Sequence, residues 1–125
     1  MTAVLDAGAL IAIDKRDRKV GAILRLLQRD GVPVRTSAAA VAQAWRSGRR
    51  QANLARVLRG LDVAAIDETA GKRVGELLGA NGTNDLADAH VALLIEPGGS
   101  VITSDKPDIE ALLRTRGVEA TILRV

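Results

Sequence analysis

At 125 residues the chain is long enough for one hydrophobic core and too short for two. Hydrophobic residues make up 47% of it but aromatics only 1%, with one Trp and no Phe or Tyr, so the core must be built from Leu, Val, Ile and Ala. That material suits buried parallel strands under amphipathic helices and removes the aromatic platforms on which single-strand binders stack bases. The absence of Cys excludes disulfides, thiolate zinc sites and cysteine nucleophiles. A formal charge of +3 permits a polyanionic partner without requiring one.

In chain order, the apolar "TAVL" of Thr2 to Leu5 reads as a short buried strand stopping at Asp6. Ala7 to Ile13 suits a short helix, broken by the charged cluster from Asp14 to Lys19. Val20, Ile23, Leu24 and Leu27 recur at helical spacing, which predicts an amphipathic helix over Arg18 to Arg29. Val32-Pro33-Val34 is a second strand candidate with a boundary blurred by its proline. Thr36 or Ser37 can cap the next helix, expected to run to about Gly48, and "QANLARVLRG" is expected to form another. Leu61 to Ile66 reads as a third strand. Asp67 caps a helix whose apolar positions are Val74, Leu77 and Leu78. Asp85 opens a strongly apolar helix through Ile95, "SVITS" is a fourth strand, Lys106 to Thr115 a helix, and "ATILRV" a last strand.

The alternation predicts one domain over residues 1–125, a three-layer α/β/α sandwich with a small, mainly parallel sheet. Met1 leads into Asp6 without a basic region or signal-like cleavage site, and no apolar run reaches the length of a membrane span. The expectation is a cytoplasmic protein with no membrane partner.

In open parallel sheets, ligands bind outside the carboxyl ends of the strands. Two strand candidates end there in aspartate, "VLD" at Asp6 and "VITSD" at Asp105. Asp85 and Asp88 stand i, i+3 at the start of a helix, on one face and at the positive end of its dipole. Carboxylates gathered in one pocket raise one another's pKa unless a cation joins them, and a hard ion such as Mg²⁺ or Mn²⁺ relieves that repulsion. Asp85 is equally a natural N-cap, and an aspartate at a strand end is ordinary turn chemistry. Asp6 and Asp88 are embedded in apolar sequence, where an ionised aspartate needs a partner, so these two are the metal-ligand candidates.

"VLDAGALIA", "DLADAHVALL" and "VITSD", in this order and separation, resemble the signature segments of PIN-domain proteins, especially VapC-type toxin ribonucleases. The resemblance spans nearly the whole chain. It implies a metal-dependent endoribonuclease in which Asp6 and Asp88 hold Mg²⁺ (or Mn²⁺), Asp105 completes the acidic site and Asp85 is an additional acid. It also implies an antitoxin that plugs the acidic groove, and a homodimer. Thr103 and Ser104, beside Asp105, can hydrogen-bond carboxylates or metal-bound water, or equally serve strand packing alone. The family's glutamate in the helix after the second strand is replaced by Gln43, which keeps an oxygen but loses the charge; Asp85 is the candidate to replace it.

Arg46, Arg49, Arg50, Arg56 and Arg59 fall in a stretch without an acidic residue, which reads equally as a solvated helix surface or as an RNA grip with Arg46, Arg49 and Arg50 as candidate contacts. Trp45 reads as a core or interface residue. His90, the only histidine, reads as a packed structural residue. The rival to catalysis is a degenerate PIN-like domain that binds RNA or a protein without cutting. A phosphoreceiver domain fits less well, since Asp6 lacks an acidic neighbour and the last strand candidate ends the chain. A haloacid-dehalogenase-like phosphatase needs a second aspartate where this chain has Gly8.

Overall fold

The computed structural model describes residues 1–125. Five strands form one sheet, β1 (Ala3–Leu5), β2 (Val34–Ser37), β3 (Asp62–Ala64), β4 (Ser100–Thr103) and β5 (Thr121–Arg124), in the order β3-β2-β1-β4-β5 with every pair parallel. Seven helices connect them: α1 (Ala7–Asp14), α2 (Arg18–Arg29), α3 (Ala38–Ala44), α4 (Ala52–Leu58), α5 (Glu68–Asn81), α6 (Leu86–Leu94) and α7 (Lys106–Arg116). The expected three-layer α/β/α sandwich is the fold.

The layers follow from handedness. Crossovers from β1 to β2 and from β2 to β3 travel one way across the sheet, while those from β3 to β4 and from β4 to β5 travel the other way. Right-handed connections therefore put the two groups of helices on opposite faces. Accordingly α1 packs on α2, α3 and α4, while α5, α6 and α7 pack on one another; α3 also packs on α6. Direction reverses at β1 and β4, the central pair, where Leu5 lies opposite Ile102.

The central strands are buried on both faces, as their continuous apolar runs require. Val4, Leu5, Val101 and Ile102 are fully enclosed and join Leu10, Val20, Leu54, Val91, Ile95 and Ile109 in the main core. The edge strands β3 and β5 are short and largely exposed. They carry charge, Asp62 (paired with Arg35) on one and Arg124 on the other, which discourages edge-to-edge association.

Three boundaries differ from the sequence reading. The second strand is not Val32-Pro33-Val34 but starts after the proline, which has no N–H to give a ladder; its carbonyl accepts from Ala3 N–H at 2.9 Å. The third is confined to Asp62–Ala64, the residues opposite Arg35–Ser37. Helix α3 stops at Ala44 rather than near Gly48, because Trp45 is extended and Gln51 captures the chain beyond it. Gln51 Oε1 accepts from Arg46 and Ser47 N–H, and its Nε2 donates to the Ala44 carbonyl.

No helix is long and apolar enough to cross a membrane. Because Ile102 is enclosed at the centre of the sheet, Ile102→Ala should cost about 2–5 kcal/mol, read as a lower midpoint in urea unfolding.

Candidate metal centre at the carboxyl edge

The chain leaves β1 at Asp6, which is buried and caps α1. Its Oδ1 accepts from Ala9 N–H at 2.8 Å, and its Oδ2 accepts from the Thr103 hydroxyl and from Ser104 N–H at 3.2 Å. The Thr103 oxygen in turn accepts from Asp105 N–H at 2.7 Å. One hydroxyl thus ties the end of β1 to the end of β4 and sets where Asp105 departs. Burial pushes the Asp6 carboxyl above its ordinary range, against the opposing pull of these hydrogen bonds.

This junction needs Gly8. A Cβ there would lie 1.7 Å from Ser104 Oγ and 2.5 Å from Ser104 Cβ, so only glycine lets the α1 turn meet the loop after β4. Gly8→Ala should therefore destabilise the protein, and Ser104→Gly in the same chain should restore most of the lost melting temperature.

Two helices begin beside this junction with the same pattern, Asp-x-x-Asp. In α6, Asp85 is the N-cap and accepts from Asp88 N–H at 2.9 Å. In α7, Asp105 takes the N-cap position but makes no capping hydrogen bond, so its carboxylate faces the neighbouring acids instead, and Asp108 lies in the first turn. Oxygens of Asp88, Asp105 and Asp108 come within 4.8 Å of one another. The expected convergence is thus present for Asp88 and Asp105. Asp6 stands behind them with both oxygens engaged, and Asp85 stands beside Asp88. Asp108 was missed in the sequence, although its spacing from Asp105 repeats that of Asp85 and Asp88.

Asp88 is the most perturbed member. Its Oδ2 is buried without any hydrogen-bond partner. Burial, then the charge of Asp85, then a hydrogen bond and charge from Asp105, then the charge of Asp6 push its carboxyl up to about 7. Asp108 is also raised, through its hydrogen bond with Asp105 and that residue's charge. A buried carboxylate oxygen with no donor, facing two further carboxylates, fits a hard divalent cation better than any protein group present. The donor set is all oxygen, as Mg²⁺ and Mn²⁺ prefer.

Gln43 is exposed on α3 and makes no hydrogen bond. Arg46 folds back, donating from Nη1 to the carbonyls of Ala42 and Trp45, while Arg49 and Arg50 are exposed in the following turn. Gln51 anchors that loop to Asp14 at 3.3 Å, at the far end of α1 from Asp6, about 12 Å along the eight-residue helix. Trp45 is half-buried against the core. His90 is buried, as expected of a packed residue, and its Nδ1 lies 2.6 Å from Ser37 Oγ.

The fold and this edge define a three-layer α/β/α domain with an acidic cluster at the carboxyl end of its parallel sheet. A chain in the crystal structure of VapBC2 from Rickettsia felis bound to a DNA fragment from their promoter superposes with a TM-score of 0.67 over 98% of each chain. At 17% identity, that likeness is one of fold. No protein-family model and no curated protein sequence matches the chain.

The Asp88 shift has a signed consequence for stability. Between its ordinary value of 3.8 and about 7, the metal-free folded protein retains a proton that the unfolded chain has released. Stability from this group therefore falls as pH rises through that window, and the loss is complete above it. Asp88→Asn, which mimics the protonated form, should raise the melting temperature of the metal-free protein at pH 8 and leave it nearly unchanged at pH 4. Equal effects at both pH values would contradict the assignment.

Proposed function

We propose that the chain is a metal-dependent endoribonuclease that hydrolyses RNA phosphodiester bonds, and that it acts as the toxin of a type II toxin–antitoxin pair. The observation that supports this most is the buried, partnerless Asp88 Oδ2 beside Asp105 and Asp108 at the carboxyl edge of the sheet. Of the expected ligands Asp6 and Asp88, this reading keeps Asp88 and sets Asp105 and Asp108 beside it: these three would hold Mg²⁺ (or Mn²⁺), which when bound polarises a phosphoryl oxygen and lowers the pKa of coordinated water, while Asp6 has both oxygens engaged. Asp6 acts from behind, adding negative charge and fixing Thr103, through which Asp105 is set. Asp85 holds the first turn of α6 and supplies the charge that Gln43 lacks. The single histidine is buried and neutral, so no histidine pair serves acid–base cleavage through the ribose hydroxyl.

The partner reading draws on the resemblance to VapC-type toxins and the fold shared with a chain of VapBC2. A groove of about 880 Å³ between α2 and α4 gives such a partner a second foothold besides the acidic edge. Leu24, Val57 and Leu61 line it, and Arg16, Arg18, Arg25 and Arg56 outnumber Asp17 around it, which suits an apolar segment with acidic flanks. In this reading the antitoxin occupies that surface, and the toxin pairs with a second copy of itself.

A cleavage assay tests the proposal. RNA should be cut with Mg²⁺ or Mn²⁺ and left intact with EDTA, and Asp88→Asn or Asp108→Asn should lower the rate by at least about 100-fold. Persistent cutting under chelation would refute it. Asp85→Asn should slow cleavage, and an unchanged rate would remove its charge-replacing role. The exposed, unbonded Gln43 favours one second reading, a PIN-like domain that binds without cutting. Metal binding by calorimetry with no cleavage at any metal concentration would select it.

A further inference from the structure

A cavity of about 270 Å³ lies on the other side of α6 from the acidic cluster, reaching Ala64 and Ala65 at the carboxyl end of β3. Arg35, Arg73 and His90 line it. Side chains alternate along a strand, so Arg35 and Ser37 project from the same face of β2. The contact between Ser37 and His90 shows that this is the face covered by α6.

Each of the three groups keeps an unused donor. Ser37 Oγ accepts from Ala39 N–H and lies 2.6 Å from His90 Nδ1; in the tautomer in which it gives its proton to Nδ1, the neutral ring carries its hydrogen on Nε2. His90 is 3% exposed, and that Nε2–H has no partner in the protein. Arg35 donates to Asp62 through Nε at 2.7 Å and leaves both terminal nitrogens free. Arg73 is exposed, with no ion pair and no hydrogen bond. Its charge acts on His90 and on Arg116. The one carboxylate lining the cavity, Asp67, already accepts from Ala70 N–H as the α5 cap.

Asp88 and His90 are two residues apart on α6 and therefore point to different sides of it. A polyanion drawn only to the acidic cluster would be repelled outside the metal's reach, and these donors offset that repulsion one strand further along the edge. We propose that the cavity is a phosphodiester subsite, in which Arg73, the terminal nitrogens of Arg35 and His90 Nε2–H hold a backbone phosphate of an RNA strand that runs from the acidic cluster along α6 toward Leu93 and Leu94, which also line the cavity. The inference rests on the ribonuclease reading for the identity of the strand.

The single histidine makes the test direct. Full-length protein in EDTA is titrated with a short single-stranded RNA, and separately with inorganic phosphate, while the His90 ring signals are followed by NMR. RNA should shift those signals saturably. Arg73→Gln should weaken RNA affinity about tenfold at unchanged melting temperature, reduce the salt slope by about 0.7, and be partly rescued by Arg73→Lys. Ring signals unmoved at saturating RNA, or equal affinity for wild type and Arg73→Gln, would overturn the subsite. A shift with inorganic phosphate but none with RNA would overturn the RNA assignment in favour of a free-phosphate site. Failure of the two proposals is separable. Binding of this kind without Mg²⁺-dependent cutting leaves the subsite standing and removes the nuclease, whereas cutting with an unchanged KM in Arg73→Gln removes the subsite alone.

Discussion

Negative charge concentrated at one rim of the sheet is the constraint on which the rest of this structure depends. Asp6, Asp85, Asp88 and Asp105 all bear on the same small volume, and Asp88 feels the other three while one of its oxygens lies buried without a donor. Like charges so placed are costly in a metal-free protein, because each disfavours ionisation of the next. The fold tolerates the arrangement by assigning the aspartates different tasks. Asp6 is held by three hydrogen bonds, Asp85 is occupied as a cap, and Asp88, Asp105 and Asp108 face one another, with Asp88 Oδ2 buried and without a donor.

The topology makes this gathering possible. Reversal of direction at β1 and β4 opens a crevice between the loops leaving those strands, and Asp6 and Asp105 are the residues at which the chain leaves them. Two helix starts, those of α6 and α7, then deliver their acids to the same crevice. Thr103 couples the two strand ends through a single hydroxyl, and Gly8 allows the close approach of Ser104 that the coupling needs. Precision at the edge therefore comes from short backbone and side-chain bonds rather than from bulky packing, in keeping with a core that contains no Phe or Tyr.

Cationic groups are distributed differently. The arginine-rich loop of Arg46, Arg49 and Arg50 is fastened to the far end of α1 by Gln51, while Arg35 and Arg73 flank the only histidine next to the helix that carries Asp88. The first group falls in one contiguous stretch of the chain. The second is assembled from β2, α5 and α6, and its members are far apart in the chain.

The order of strands and helices, the two strand-ending aspartates, and the caps Ser37, Asp67 and Asp85 were legible in the amino-acid sequence, because apolar periodicity and capping chemistry are local properties. The proline-blurred start of β2 and the early end of α3 were not, since a ladder partner decided one and the reach of Gln51 across several residues decided the other. Asp108 escaped for the same reason: its spacing from Asp105 was visible, but its meeting with Asp88 depends on how α6 and α7 pack. Residue chemistry alone thus determined which groups were available and which elements carried them. Which of those groups meet, and which oxygens are left free to bind, was decided by tertiary packing, because distances between remote residues are set only when the chain closes on its core.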